Sequence, residues 1–269
     1  MAIGKHGTVP RQLRTLFTIG RIGELSDGQL LERFATGRGE AAELAFSALV
    51  ERHGPMVMRV SRSVLSDPHD AQDAFQATFL VLIKKARGLW VRDSLGPWLH
   101  QVAYRTAACA RATEERRRKH ERYAAKMAAV SPTKNEDWVD HDWEQTLHAE
   151  IERLPENYRV PIVLCDLEGR SHEQAARHMG WPIGTVKSRL SRGRERLRVR
   201  LRRRGLAPNA CLLATALQSA GPDELIVQSL VRSTTGAAVE FVPAQTLAKG
   251  SAFALAKEAL KAMSLSRWL

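Results

Sequence analysis

The sequence has few cysteines, few aromatic residues and no long apolar run. Its 269 residues include three cysteines, Cys109, Cys165 and Cys211, which lie far apart and form no CxxC pair. This spacing argues against a disulfide scaffold and against a cysteine-built zinc site. The sequence contains no stretch of about eighteen apolar residues, which a membrane-spanning helix would need. No apolar signal-peptide segment follows the basic N-terminus. We therefore expect a cytoplasmic protein without a membrane span.

Sheet-forming patterns are also absent. Aromatic residues make up 6% of the chain, and no segment shows the β-branched alternation that a sheet requires. Helical periodicity dominates instead, which predicts an all-α fold. The nine histidines are scattered and lie near no acidic or cysteine cluster. We therefore expect neither a metal site nor a cofactor.

The sequence divides into two helical blocks. Between them, a Ser/Pro/Asn-containing and then acidic stretch reads as a flexible linker. The first block should hold about four helices, with breaks near Gly37–Gly39, Gly54–Pro55, Asp67–Pro68 and Gly96–Pro97. The predicted segments are a leader (1–22), a first domain (23–128), the linker (129–143), a second domain (144–205) and a partly helical C-terminal extension (206–269).

The second block contains the pattern of a helix-turn-helix. Ser171 can cap a helix over His172–Met179, Gly180 can end it in the left-handed conformation, and Pro182 can open the next helix. Small Ala176 and apolar Val186 are placed where two such helices cross.

Basic residues concentrate on the second of these helices. The formal net charge is +12, which favours a polyanionic partner, either nucleic acid or an anionic membrane. Between Pro182 and Gly205 there are ten Lys or Arg residues and one acid, Glu195. The apolar seam is narrow and lacks bulky aromatics, so the pattern favours DNA over a membrane. A merely solvated basic face is the alternative.

Groove geometry suggests roles for these side chains. Near the start of a helix in the major groove, long donors reach base edges. Lys187 and Arg192 are the predicted readers, with Ser188 and Ser191 as shorter partners. Four other arginines of this helix are predicted to contact phosphates: Arg189, Arg194, Arg196 and Arg198. Phosphate contacts position a protein on DNA without specifying the base sequence.

In the first block, residues 67–86 form a helix with an acidic start and an apolar face. Asp67 can cap it, and Asp70 and Asp73 lie where the helix dipole favours acids. Taken alone, this pattern fits a core helix with a solvated acidic end. The apolar face comprises Ala71, Ala74, Phe75, Thr78, Phe79 and Leu82.

Several motifs in order resemble the extracytoplasmic-function (ECF) sigma factors. Region four of that family is similar to Leu154–Arg159, Glu173–Ala176 and Gly184–Leu190, with Arg192 and Arg194 following. Region two is similar to Asp70-Ala71-x-Asp73-x-x-Gln76-x-x-Phe79 and to Pro97-Trp98-Leu99-x-x-Val102-Ala103-x-Arg105. The resemblance covers residues 23–204.

The resemblance implies partners and site residues. It implies an alternative sigma factor that binds core RNA polymerase and promoter DNA, with an anti-sigma factor as a further candidate partner. The upstream (minus-thirty-five) element would be bound by Thr185, Lys187, Ser188, Arg189, Ser191, Arg192 and Arg196. The minus-ten element, with one base flipped out, would be bound by Trp90, Arg92, Asp93, Ser94, Arg105 and Arg111. The polymerase would be bound by Asp70, Asp73 and Gln76.

Other functions stay open on the sequence alone. A helix-turn-helix regulator that acts without polymerase would need dimer symmetry and would not need Asp70, Asp73 and Gln76. A nucleic-acid-processing enzyme would need paired carboxylates, a phosphate loop or an activated nucleophile, and the sequence shows none of these; we therefore expect no enzymatic activity. Trp90 could also be a packing anchor, and Trp98 is expected in the core. The extension offers helices at 212–217, 225–231 and 253–263, and we hypothesise that it folds back on the domains and masks them.

Overall fold

The computed structural model describes residues 25–91, 93–127, 142–206 and 251–264. Every regular element in these ranges is helical, which confirms the all-α fold class. The predicted leader, most of the linker and the candidate helices at 212–217 and 225–231 lie outside the described residues. None of the described helices is long and apolar enough to cross a membrane. The helices are α1 (Asp27–Thr36), α2 (Glu40–Val64), α3 (Pro68–Lys85), α4 (Gly96–Met127), α5 (Asp142–Glu152), α6 (Glu156–Ile162), α7 (His172–Met179), α8 (Ile183–Arg203) and α9 (Ser251–Ser264).

Helices α1 to α4 form the first domain, and their number agrees with the prediction. Ser26 caps α1 in a capping box with Gln29, and Asp67 caps α3 ahead of Pro68. The predicted break at Gly54–Pro55 was wrong, because α2 runs unbroken through Pro55. Proline inside a helix costs about 3 kcal/mol, but the residues that follow it, including Met56 and Val57, are buried in the core, and this packing offsets the cost.

The core of the first domain is built on phenylalanines. Phe46 contacts Phe34, with ring centroids 4.8 Å apart, and Phe79, with centroids 6.3 Å apart. Phe75 packs on Phe79 at 5.0 Å. All six residues predicted for the apolar face of α3 are buried. Because this apolar face of α3 is buried in the domain core, only the other sides of the helix are left for further partners.

Helices α5 to α8 form the second domain. Helix α6 continues into a π-helical turn at Val163–Leu167, and α8 then crosses α6. The crossing is close because Gly193 lies in the seam, where an added Cβ would come within 2.9 Å of the Ile162 Cδ1 atom. The narrow apolar seam of α8 faces inward and consists of five buried residues: Val186, Leu190, Gly193, Leu197 and Leu201.

The two domains pack against each other. One hydrophobic cluster extends from α1 through α8, and α5 and the π-turn contact α2 and α4. Polar contacts also cross the interface: Ser94 donates to Glu168 at 3.0 Å, and His100 lies 2.8 Å from Glu152. A Cβ on Gly96 would lie 1.8 Å from Glu168 Oε1. Glycine at this position therefore allows the close approach.

Helix α9, from the C-terminal extension, lies on the first domain. It contacts α3 and α4, as the fold-back hypothesis requires for this part of the extension. The helix spans nearly the range predicted from the sequence.

Candidate nucleic-acid interface

Helices α7 and α8 are held at a fixed angle by two backbone features. Ser171 Oγ accepts a hydrogen bond from the Gln174 amide at 3.2 Å, and Gln174 Oε1 accepts one from the Ser171 amide at 2.9 Å. Gly180 ends α7 with φ 64° and ψ 30°, a conformation that favours glycine. Ala176 and Val186 are buried together with Leu164 and Ala175. The predicted helix-turn-helix is confirmed in these details.

The first half of α8 presents a polar, cationic face to solvent. Lys187, Ser188, Ser191 and Arg192 are all exposed, whereas Thr185 is half-buried. Ser188 donates its hydroxyl hydrogen to the Thr185 carbonyl at 3.0 Å. Their positions are one and four residues apart, so the four exposed side chains share one side of the helix. This side is opposite the buried stripe and is open to a groove.

The remaining arginines of α8 are largely engaged within the domain. Arg189 and Arg196 lie over the Tyr158 ring, 5.3 and 4.3 Å from its centroid. Arg194 donates two hydrogen bonds to buried Asp166, one of them from Nε at 3.1 Å. That interaction raises the pKa of Arg194. These contacts hold α8 against the rest of the domain, and they give Arg194 a partner within the protein.

Arg198 of α8 also has an intramolecular partner, because its guanidinium pairs with Glu195. The predicted phosphate contacts of Arg189, Arg194, Arg196 and Arg198 stay predictions.

The loop before α4 exposes some predicted minus-ten residues and buries others. Trp90 is 80% exposed, which favours its predicted binding role over the alternative of a packing anchor. Ser94 is 4% exposed, and its hydroxyl contacts Glu168 of the second domain. Asp93 is half-buried, and its carbonyl accepts from the Asp27 amide. Arg92 lies outside the described residues.

On α4, Arg105 and Arg111 are half-buried. Arg111 lies 3.4 Å from Glu115 on the same helix. The inward face of this helix is buried throughout and consists of Leu99, Val102, Ala103, Thr106 and Ala110. Trp98 packs against the core but stays half-buried, so its predicted core position is confirmed in part.

The predicted polymerase contacts lie together at the start of α3. Asp70, Asp73 and Gln76 are half-buried. Burial raises the pKa of Asp70, and the charges of Asp67, Glu114 and Asp73 raise it further. Asp73 accepts a hydrogen bond from the Ser251 hydroxyl of α9. Helix α9 therefore already contacts this part of α3.

A buried charge cluster between the domains was not predicted from the sequence. We call Asp27, Arg52, His53, Glu168 and Arg170 the interdomain charge cluster. His53 Nε2 lies 2.6 Å from Asp27, and His53 Nδ1 forms a less well-aligned ion pair with Glu168 at 3.0 Å. A neutral imidazole has only one N–H. Because each ring nitrogen faces a carboxylate, the contacts favour a protonated His53.

The pKa values of this cluster follow from its contacts. Burial lowers the pKa of His53, but hydrogen bonding and charge from Asp27 and Glu168 outweigh it and raise the pKa to about 9. For Asp27, burial raises the pKa, but the contacts with His53, the Leu95 amide and Arg52 outweigh burial and hold this pKa well below its ordinary value. No sequence signal revealed this cluster, because its members lie in separate helices and turns. Within the described ranges, no His, Cys, Asp or Glu residues form a group that could hold a metal.

Comparison with known proteins identifies the two domains. The model of Sigma-70 region 2 matches residues 49–118, and that of Sigma-70 region 4 matches residues 144–197. The two matches fall on the α2–α4 and α5–α8 bodies. The protein therefore has the domains of a sigma-70-type transcription initiation factor.

Curated relatives narrow the class. The ECF RNA polymerase sigma-E factor of Escherichia coli K12 is 31% identical over 182 residues, which cover 64% of this chain and 92% of that protein. The ECF RNA polymerase sigma factor SigE of Mycolicibacterium smegmatis is 31% identical over 170 residues, 61% of this chain and 64% of the relative. This chain belongs to the ECF family of sigma factors, and it is an alternative sigma factor.

A solved structure is also similar in sequence. The sigma factor RpoE in complex with the anti-sigma factor NepR, from Bartonella quintana, is 26% identical. The match covers 57% of this chain and 92% of that one, with a TM-score of 0.27.

Proposed function

We propose that this sigma factor uses three surfaces to start transcription. The exposed side of α8 reads the upstream promoter element, the loop around Trp90 with Arg105 and Arg111 binds the minus-ten element, and the start of α3 docks on core RNA polymerase. One observation carries the proposal: the capped turn between α7 and α8 leaves Lys187, Ser188, Ser191 and Arg192 together in solvent. The functional division would follow the domain boundaries, with 23–128 and 144–205 as the two working units.

The upstream-element role is tested by a matched pair of double variants. Lys187→Ala/Arg192→Ala removes two cations from the proposed reading face, and Arg202→Ala/Arg203→Ala removes two exposed cations near the end of the same helix. Each lost base contact is worth about 1–3 kcal/mol of discrimination. In transcription in vitro over a promoter library, the first variant should lose upstream preference, and the control should keep it. Equal loss of preference in both variants would indicate only a charge effect.

The minus-ten role requires a change of arrangement. Trp90 is exposed and offers a face for stacking a base. Ser94, however, is covered by Glu168 of the second domain. DNA can reach Ser94 only if Glu168 moves away. We therefore infer that the packed arrangement described above is a closed form, and that the domains separate when the minus-ten element binds.

Polymerase docking is tested at Asp73. Asp73→Ala should weaken binding to core polymerase several-fold in a fluorescence titration while leaving the helical signal unchanged. Glu32→Ala is the control, since Glu32 is an exposed acid on α1, away from α3. If the two variants bind polymerase equally well once α9 is released from Asp73, the docking surface lies elsewhere. A regulator that acts without polymerase is the second candidate, and co-purification with core polymerase separates the two.

The proposal also covers the compartment, the lack of enzymatic activity and one further partner. The protein would act in the cytoplasm, where chromosome and polymerase are, and would carry no enzymatic activity of its own. An anti-sigma factor is a proposed partner. Its support is the complex in which a relative has been solved, and binding would have to keep the α3 or α8 surface from its other partners.

A further inference from the structure

Helix α9 covers one side of α3 with small apolar residues. Ala252, Ala256 and Ala259 recur at helical spacing and are buried against Ala77, Leu80, Val81 and Val102. Phe253 extends the contact, since Lys84 Nζ lies 5.2 Å from its ring centroid. Without α9, this apolar surface of α3 and α4 would face water, which is unfavourable. The surface is therefore one that needs a covering partner.

The covered side includes a residue proposed to bind polymerase. Asp73, Ala77, Leu80 and Lys84 are three or four positions apart, so they form one stripe along α3. Helix α9 contacts this stripe from one end to the other, because Ser251 hydrogen-bonds Asp73 and Phe253 lies beside Lys84. A polymerase element that docks on Asp73 and the following turns would occupy the space that α9 fills.

We propose that α9 is an intramolecular competitor of core RNA polymerase for this side of α3. The inference rests on the docking role proposed above. Binding of the two occupants is mutually exclusive, so the protein binds polymerase only while α9 is released. The C-terminal extension thereby sets the fraction of molecules that can start transcription.

The length and tethering of α9 suit such a competitor. A helix of 14 residues is marginal in isolation, since helices shorter than about 12–15 residues rarely hold in water. Its docking on α3 and α4 therefore supplies its stability. A tethered segment is present at a high effective concentration, so weak docking is enough to compete. The apparent affinity for polymerase is reduced by the fraction of molecules in which α9 is bound.

The test uses the full-length chain and one substitution at different positions of α9. Ala256→Glu and Ala259→Glu place a carboxylate in the buried contact and should release the helix. Ala254→Glu makes the same change on the exposed side of α9 and serves as the matched control. Hydrogen exchange of the α9 amides reports release without any polymerase. A titration with core polymerase then reports the affinity, and Asp73→Ala is measured in the Ala256→Glu background.

The outcomes separate the two proposals. Competition predicts faster exchange in α9 and about 10-fold tighter polymerase binding in both buried-face variants, equivalent to about 1.4 kcal/mol, with no change in Ala254→Glu. If α9 is released but the affinity is unchanged, while Asp73→Ala still weakens binding, competition is wrong and docking stands. If Asp73→Ala has no effect with α9 released, the docking role fails. Unchanged exchange in both buried-face variants would overturn the α9 contact itself.

Discussion

Replacing Glu168 by glutamine should loosen the packing of the two domains. Glu168→Gln keeps the shape of the side chain and its capacity to accept from Ser94, but it removes the charge that faces His53. The pKa of His53 rises from 6.5 to about 9, which corresponds to about 3 kcal/mol. Asp27 and Glu168 both contribute to this shift. The Glu168 charge should therefore be worth between about 1 and 2 kcal/mol, or roughly 10-fold in the ratio of closed to open molecules.

The pH dependence has a definite sign. A raised pKa in the folded protein means that the stabilisation by His53 is fully present below pH 6.5 and is lost as the pH rises through about 9. Opening removes only the Glu168 contact, because Asp27 and His53 belong to the same domain. The closed fraction of the parent protein should therefore fall as the pH rises through about 9. His53→Gln cannot lose a proton and should flatten that part of the profile. Asp27, Arg52 and Arg170 also face this site.

Energy transfer between two dyes measures the closed fraction. The dyes are attached to cysteines introduced by Thr113→Cys and Arg203→Cys, because both positions are exposed and lie on different domains. The native Cys109, Cys165 and Cys211 are replaced so that only these two sites carry a dye. Glu173→Gln is the control, because Glu173 is exposed on α7. Equal closed fractions in Glu168→Gln and Glu173→Gln at pH 7 would refute the role assigned to the interdomain charge cluster.

Three further predictions concern stability and DNA binding. Ser171→Ala removes the cap of α7 and should lower the free energy of unfolding by about 1 kcal/mol in a denaturant titration; an unchanged midpoint would contradict the capping role. Gly193→Ala forces a methyl group toward Ile162 and should cost about 1–3 kcal/mol by the same measurement, whereas Gly184→Ala, where the added Cβ meets nothing within 4 Å, should be tolerated. Trp90→Ala should weaken promoter opening, read by the fluorescence of a base analogue in the minus-ten element, by about 1–3 kcal/mol without changing the melting temperature; normal opening would remove Trp90 from the interface.

Local signals in the sequence were sufficient to predict the helices. Caps such as Asp67 and Ser171, the left-handed Gly180 and the apolar seam of α8 each depend on residues within one or two turns, and the structure agrees at all of them. The predicted helix break at Gly54–Pro55 was wrong, because burial of the flanking apolar residues outweighs the tendency of proline to interrupt a helix. Local chemistry was reliable where no distant contact opposed it.

Long-range contacts were beyond the reach of the sequence. The candidate reading face of α8 follows from helical spacing, so its exposure was predictable. The burial of Ser94 was not, because its partner Glu168 is 74 residues away. The partner of Arg194 was missed for the same reason, since Asp166 lies in a different element. A single chain gives no information on which distant acid will meet which base.

The π-helical turn at Val163–Leu167 has a consequence for how the protein could respond to its partners. Asp166, within the turn, accepts a hydrogen bond from Arg194 of α8. Glu168, the residue after the turn, forms an ion pair with His53 of the first domain. Two side chains only two positions apart thus connect α8 and the neighbouring domain to one short stretch of backbone. Any separation of the domains frees Glu168 at a point adjacent to the anchor of α8, so that opening and the orientation of α8 would be mechanically coupled.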